Sequence, residues 1–196
     1  MARTGIWVEA ATDVGVERDA DEPVVLAAQA DPAAFRLLYE RHRVAVYRYL
    51  RSRLPTDDDA ADLTAATFER AIVGLRSYRT RDGVGFRAWL FRIARNQAID
   101  AARRRRPTES LDAVVGLAGH ATSEPEAAAL DGERLAEVRR LVAALPDEQR
   151  DAVVLRFAGG LTAREIGAVL GKSEAAAQKT LSRALMRLKE AYGAQQ

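Results

Sequence analysis

Apolar side chains recur every three or four positions along most of this chain, which is the spacing of helices with one buried face. The first such segment is Asp31–Leu54, where the pair Asp31-Pro32 suits the start of a helix. We expect this helix to bury a stripe made of Phe35, Leu38, Tyr39, Val46, Tyr49 and Leu50.

A second helix is predicted after Thr56, whose side chain can cap it. Three aspartates follow directly, where the helix dipole favours negative charge. Its expected buried stripe is Ala61, Ala65, Phe68, Ile72 and Leu75. Two glycines then interrupt the pattern and indicate a loop before a third helix, Phe86–Arg106. The expected core residues of this third helix are Phe86, Leu90, Ile93 and Ala94.

Residues 107–132 hold proline, glycine and small polar residues without periodicity, so we expect a flexible linker there. Helical spacing resumes at Glu133, and a further helix is predicted to begin at Pro146. The apolar face before it consists of Leu135, Val138, Val142 and Leu145. Because no alternation of period two is found, the predicted fold is all-α. We expect two small helical domains: an N-terminal helical bundle over residues 24–106 and a C-terminal helix-turn-helix domain over residues 133–196.

The segment Leu161–Leu185 has the pattern of a DNA-binding helix-turn-helix. Thr162 and Glu165 match a capping box, which fixes the start of a short helix. Gly171 suits the left-handed turn at the end of that helix, and small Gly167 permits a close crossing. The expected apolar residues of the short helix are Ile166, Val169 and Leu170.

The second helix of this motif carries polar side chains on one face. The alanines at 175–177 cannot bond a base, and they allow close packing on the scaffold or close approach to the DNA backbone. Glutamine can pair with adenine, and arginine or lysine with guanine. The residues predicted to bind duplex DNA are Lys172, Ser173, Gln178, Lys179, Ser182 and Arg183. An amphipathic hairpin with a solvated charged face is the alternative interpretation.

The third predicted helix combines arginines with aromatic residues. Seven arginines and one acid lie between Phe86 and Arg106. Trp89, Arg92, Asn96 and Arg103 fall on one helical stripe, and Tyr78 lies just before the helix. Arginines neutralise phosphates and aromatic rings stack on unpaired bases, so this stripe favours single-stranded DNA. The alternatives are that Trp89 belongs to the core and that the arginine run at 103–106 is a solvated helix end.

Composition narrows the chemistry. The chain has no cysteine, which excludes disulfides and thiolate metal sites, and its two histidines lack ligand spacing. No nucleophile–base pair or phosphate-cradling glycine loop is found, so we expect neither an enzyme nor a cofactor site. No apolar run approaches the roughly 20 residues of a membrane helix, and the N-terminus lacks a secretory pattern, so the expected location is the cytoplasm.

Five segments in order resemble the extracytoplasmic-function group of bacterial sigma factors. They are "AFRLLYERHRVAVYRYLRSRL", "DDAADLTAATFERA", "GFRAWLFRIARNQAIDAARRR", "LPDEQRDAVVLRFAGGLTAREIGAVLG" and "SEAAAQKTLSRALMRLK". The resemblance implies an alternative sigma factor that directs promoter recognition and melting. It implies as partners the clamp and flap regions of RNA polymerase core, promoter DNA and an anti-sigma protein, with no small-molecule substrate and no membrane insertion.

The resemblance also implies residue roles. The C-terminal domain would read the −35 element, and the N-terminal domain would open the −10 element. Residues 79–85 would form the loop that captures an extruded base. The implied −10 residues are Tyr78, Arg79, Arg81, Trp89, Arg92, Asn96 and Arg103. The implied contacts to the polymerase clamp are Asp59, Asp62, Leu63 and Phe68.

The chain departs from the family pattern at three places. Ala65 and Ala66 stand where the clamp-binding helix usually has a glutamine and an acid, which predicts weaker contact there or reliance on neighbouring acids. Gln178 and Thr180 stand at positions that are commonly basic, which predicts an unusual −35 preference. Residues 1–23 match nothing in the family core and are interpreted as a disordered tail or a regulatory extension.

Two other functions remain open from the sequence. A stand-alone helix-turn-helix regulator would bind duplex DNA as a dimer, but it leaves the arginine-rich helix unexplained. A structural module with basic faces for acidic partners is the second alternative. Because each half presents a small footprint, we expect the free chain to bind promoter DNA poorly.

Overall fold

The computed structural model describes residues 20–80, 83–105 and 136–193. These residues form helices and contain no β-strand, so the all-α prediction is confirmed. The helices are α1 (Glu22–Ala30), α2 (Phe35–Arg51), α3 (Asp57–Leu75), α4 (Phe86–Arg105), α5 (described over residues 136–143), α6 (Asp147–Phe157), α7 (Ala163–Leu170) and α8 (Glu174–Gly193).

Helix α1 is an element that the sequence analysis missed, since the predicted N-terminal extension ran through residue 23. Asp21 precedes it and Pro23 occupies its first turn, where the missing N–H of proline costs nothing. Its buried residues are Val25 and Ala28. The Gln29 side chain donates to the backbone oxygens of Leu75 and Tyr78, both at 2.9 Å. Helix α1 therefore ties down the end of α3 and the start of the loop that follows.

We expected Asp31-Pro32 to begin α2. These residues instead begin a short 3-10 turn, Pro32–Ala34, that precedes the helix. The carboxylate of Asp31 accepts from the backbone N–H of Ala33 and caps this turn. Helix α2 buries its predicted stripe with one exception, because Tyr39 remains 42% exposed. The sequence prediction was wrong for Tyr39, which lies on a second apolar face of the same helix.

Two of the five residues predicted for the buried stripe of α3, Phe68 and Leu75, are buried, and the other three are not. Ala61, Ala65 and Ile72 are exposed, whereas the buried side chains are Ala60, Thr64, Thr67, Phe68, Ala71 and Leu75. The two buried threonines each donate to the backbone oxygen four residues earlier, which satisfies their hydroxyls inside the core. Thr56 caps the helix as predicted, since its hydroxyl accepts from the N–H of Asp59.

Helix α4 lies at the centre of the fold. Phe86, Leu90 and Ala94 are fully buried, and Ile93 is half-buried. Phe91 is also fully buried and meets the Tyr49 ring edge-on, with centroids 5.7 Å apart. One side of α4 contacts α2 and α3, and another contacts α7. A single hydrophobic core therefore runs through both halves of the described chain.

The helix-turn-helix has the local structure that its sequence predicts. Thr162 and Glu165 form a reciprocal capping box at the start of α7. Gly171 ends α7 with φ at +69°, a conformation that favours glycine. The side chains of Ile166, Val169 and Leu170 are buried. On the predicted apolar face before α6, Val138 of α5 is 41% exposed, whereas Leu145, in the turn between α5 and α6, is buried.

Candidate nucleic-acid and polymerase interfaces

The predicted duplex-reading face is the solvent-exposed side of α8. Gln178, Lys179, Ser182 and Arg183 are all exposed, whereas Ala177, Leu181 and Ala184 turn inward and are buried. Of the three leading alanines, only Ala177 packs on the scaffold, while Ala175 is exposed and Ala176 is half-buried. Because the side chains of Ala175 and Ala176 are small, they leave space beside the first turn of α8. Amide, ammonium, hydroxyl and guanidinium groups stand on one helical face, which is the donor and acceptor set that reads base edges.

Lys172 and Ser173 lie at the start of α8 and are partly engaged in the fold. The Ser173 hydroxyl accepts from the backbone N–H of Ala176 at 3.3 Å and caps the start of α8. Lys172 Nζ lies 2.6 Å from a carboxylate oxygen of Glu148 on α6. This pair is largely exposed, so DNA phosphates can compete for the lysine.

Four of the predicted −10 residues surround one depression at the end of α3 and the middle of α4. Its volume is about 590 Å³, and its lining includes Tyr78, Arg79, Trp89 and Arg92. Trp89 is half-buried and packs against Tyr78 and Phe86, with ring centroids 4.9 and 5.5 Å away. Gly74 makes room for it, since a Cβ there would lie 3.1 Å from the indole. Trp89 therefore both packs on the core and presents a ring to the depression.

The remaining −10 residues lie elsewhere. Asn96 and Arg103 are exposed and follow the depression along α4, toward its C-terminus. Arg79, which lines the depression, donates to the backbone oxygens of Tyr78 and Arg76, and these bonds hold it against its own loop. Arg81 lies outside the described residues. The structure thus brings the arginines and aromatic rings of the depression together. Asn96 and Arg103 continue this surface along α4.

A separate apolar groove runs between α2 and α3, with a volume of about 540 Å³. Phe68, one of the four predicted clamp residues, lies at its base and meets Tyr39 edge-on at 4.9 Å. Asp59, Asp62 and Leu63 do not line the groove. Asp62 is exposed, Leu63 packs against the core, and Asp59 accepts from the Thr56 hydroxyl.

Sequence reasoning missed most of the groove. Tyr39, Val44, Ala65 and Ile72 line it and are all exposed. The sequence of α2 does contain a second apolar row, offset from the buried stripe. However, the sequence of one helix does not show which of its apolar rows the rest of the fold covers. At one end of the groove, the Tyr47 hydroxyl donates to Asp57 at 3.0 Å. Desolvation, with help from the Asp57 carboxylate, raises the pKa of Tyr47.

The described residues contain no helix long and apolar enough to cross a membrane. They also contain no group of three potential metal ligands among histidine, cysteine and the acids.

Family models match two segments of the chain. Residues 38–108 match the family model for sigma-70 region 2, and residues 135–188 match the model for sigma-70 region 4. The first match contains most of the lining of the depression, and the second contains the helix-turn-helix, including Ala168, which also lines the depression.

Individual relatives point to one branch of that family. The ECF RNA polymerase sigma factor BldN from Streptomyces coelicolor is 36% identical over 174 residues, which is 84% of this chain and 63% of BldN. The ECF RNA polymerase sigma factor SigD from Mycobacterium bovis is 33% identical, over 87% of this chain and 82% of SigD. Among solved structures, CnrH in complex with the cytosolic domain of CnrY is 29% identical, with a TM-score of 0.66 over 91% of this chain. The chain belongs to the extracytoplasmic-function group of RNA polymerase sigma factors.

Proposed function

We propose that this chain is an alternative sigma factor that binds RNA polymerase core and directs it to a promoter with two separate DNA-reading surfaces. The observation that carries the proposal is the presence of both surfaces on one chain. The exposed face of α8 suits paired DNA, and the Trp89–Arg92 depression suits an unpaired base. A duplex-binding regulator has no use for the second surface. The chain itself makes no covalent bond in this role, because the polymerase carries out the synthesis.

The face of α8 reads the −35 element in the major groove. Arg183 and Lys179 favour guanine, and Gln178 favours adenine. The polar side chains lie in the first half of the helix, where recognition helices of this motif contact base edges. The resemblance to the family implies basic residues at the positions of Gln178 and Thr180, so the preferred −35 sequence departs from the common one.

The depression receives an unstacked base of the −10 element. Trp89 offers a half-buried ring backed by the buried Tyr78, and Arg79 and Arg92 offer positive charge beside it. Stacking on an aromatic ring is worth roughly 1–3 kcal/mol per base, comparable to the cost of extruding one from a duplex. Asn96 and Arg103 guide the strand that leaves the depression along α4.

The polymerase clamp binds at α3, on the groove side as well as at its acidic start. Ala65 lies in the groove, at a position where the resemblance to the family implies a polar residue, so contact here is mainly apolar. Phe68 and Ile72 supply this surface, and Asp59 and Asp62 contact basic residues at its edge. The helix-turn-helix domain contacts the polymerase flap.

An anti-sigma protein is the expected regulator. The relative CnrH has been solved in complex with the cytosolic domain of CnrY. A protein of this kind would cover the α2–α3 groove or the DNA-reading faces. The expected location is the cytoplasm, where polymerase works.

The decisive experiment is transcription with purified components. Adding the chain to core polymerase should give initiation from its own promoters, mapped by transcript start sites. Lys179→Ala/Arg183→Ala should lose initiation, and Glu40→Gln, which only breaks an exposed pair with Arg36, should keep it. If the chain shifts duplex DNA alone and confers no initiation on core enzyme, it is a stand-alone regulator instead.

A further inference from the structure

The depression beside Trp89 is bounded on one side by the turn that ends α3, residues 75–78. This turn is closed by its own backbone, since the Tyr78 N–H donates to the Leu75 oxygen at 3.0 Å. A bond of this kind fixes the shape of the turn but not its place relative to α4. The last carbonyl groups of a helix also lack partners within that helix. Contacts from another element therefore decide where the turn lies.

The Gln29 side chain of α1 supplies such a contact. Its Nε2 donates to the backbone oxygens of Leu75 and Tyr78, both at 2.9 Å. A primary amide carries two N–H groups, so one side chain can serve both acceptors. The two oxygens belong to the first and last residues of the turn, so a single nitrogen joins its two ends. Gln29 is half-buried and is not among the described residues that line the depression.

Tyr78 connects this amide to the groups proposed to hold a base. Its backbone oxygen also accepts from the Arg79 guanidinium at 2.7 Å. Its buried ring packs against Trp89, with ring centroids 4.9 Å apart. The carbonyl oxygen of Tyr78 thus holds the cation, and the ring of Tyr78 supports the stacking surface. Displacing Tyr78 would therefore move both at once.

Helix α1 is itself fixed to the fold at other positions. At its start, a carboxylate oxygen of Asp21 lies 2.7 Å from a ring nitrogen of His42 on α2. Along its length, Val25 and Ala28 are buried in the core. Groups that lie on a rigid element hold their partners more precisely than groups that lie on a loop. The Gln29 amide is therefore presented to the turn from a rigid position.

We propose that Gln29 is a positioning residue for base capture. Its amide holds the turn so that Trp89 and Arg79 are in place before an unpaired base arrives. A surface that must be ordered during binding loses part of its affinity to that ordering. Phosphate contacts made along α4 do not depend on Gln29, since they come from a separate helix. The inference rests on the proposed function, because it requires that the depression receive a base.

The test compares two glutamine-to-methionine variants of the full-length chain. Gln29→Met keeps a side chain of similar length and removes both N–H donors. Gln97→Met is the matched control, because Gln97 Nε2 donates to the Thr67 hydroxyl at 2.8 Å inside the contact between α3 and α4. Gln97 is buried and does not line the depression. Both variants thus lose an amide donor that reaches α3, but only the first loses the bonds to the turn.

The first measurement is hydrogen exchange of the free chain, followed at the Tyr78 amide. Gln29→Met should speed this exchange by about fivefold or more, because the loss of two hydrogen bonds lets the turn open locally. Gln97→Met should exchange at this amide near the wild-type rate.

The second measurement uses the complex with core polymerase, with core polymerase alone as the background. The two probes are a twelve-nucleotide oligothymidine and an abasic strand of the same length. The ratio of the two affinities isolates the contribution of the bases, because the phosphates are the same. Gln29→Met should lower this ratio by about fivefold and leave the affinity for the abasic strand unchanged. Gln97→Met should keep the wild-type ratio.

Exchange at the wild-type rate in Gln29→Met, or an unchanged affinity ratio, overturns the inference. An equal fall of the ratio in Gln97→Met also overturns it, since a general loss of stability would then be sufficient. If circular dichroism shows that Gln29→Met does not fold, Gln29→Asn takes its place with the same criteria. The amide of that variant is one methylene too short to reach both oxygens.

The proposed function would fail in a different way. A wild-type complex that binds both probes equally well would show that the depression does not receive a base, and the role of Gln29 would fall with it. A wild-type preference for oligothymidine that survives Gln29→Met counts against the role of Gln29 alone.

Discussion

Gly167 lies directly against the backbone of Lys172: a Cβ on the glycine would stand 2.7 Å from the lysine carbonyl oxygen. The turn of the helix-turn-helix therefore folds back onto α7 without any side chain between them. Gly167→Ala should force the turn outward and destabilise the fold by about 1–3 kcal/mol. Urea unfolding measures this loss. Gly193→Ala is the control, since nothing lies within 4 Å of its position, and an equal loss there would contradict the explanation.

Asp21 should make stability depend on pH in the acidic range. Burial raises the pKa of its carboxyl, but hydrogen bonds from His42 and Arg41 outweigh burial, so the pKa lies below its usual value. A lowered pKa means that the stabilisation is complete above the unfolded pKa of about 3.9 and is lost as the pH falls through the folded value.

Asp21→Asn should therefore lower the free energy of unfolding by about 1–3 kcal/mol at pH 6 and by less near pH 3. Urea unfolding at both pH values checks this. Glu40→Gln neutralises an exposed carboxylate and should leave the stability almost unchanged. A loss that is the same at both pH values would show that the carboxylate charge is not responsible.

Trp89→Ala should weaken capture of the −10 strand by about 1–3 kcal/mol, because one stacking surface disappears from the depression. The measurement is the affinity of the polymerase complex for a −10 single strand. Trp89→Phe should retain part of the stacking. Phe157→Ala removes an exposed ring away from the depression and should have no effect. Thermal unfolding of each variant separates this loss from the packing of Trp89 on Tyr78.

Ile72→Asp should weaken binding to core polymerase by roughly tenfold or more, since it places a charge in an apolar contact surface. Val73→Asp is a close control: Val73 is 80% exposed on the next position of the same helix and does not line the groove. Affinity for core polymerase can be measured by surface plasmon resonance. If both variants bind as the wild type does, the groove is not the polymerase contact.

Local features of this fold were predictable because each depends on a few adjacent residues. Thr56, Thr162 and Gly171 were assigned as caps and turns from their chemistry, and the structure confirms them. The face of α3 was not predictable in the same way. Alanine and threonine are small on both of its sides, so hydrophobicity does not distinguish Ala60 from Ala61.

The contact between α2 and α6 could not be predicted from the sequence, for a different reason. Tyr49 and Asp151 are 102 positions apart, and nothing near either residue indicates the other. An aspartate in the first half of a polar helix is ordinarily solvated. The burial of Asp151 therefore depends on the tertiary fold alone. The same holds for Trp89, whose double role follows from the space left by Gly74 across the α3–α4 contact.

The two hydrogen bonds that the Gln29 side chain donates affect where the chain can be truncated. The residues that match the sigma-70 region 2 family begin at residue 38, after α1. A fragment trimmed to that boundary would lose the amide that bonds the Leu75 and Tyr78 carbonyls. The loop proposed to capture a base would then lose these hydrogen bonds where it begins, so weak DNA binding by such a fragment would reflect the truncation and not the natural protein.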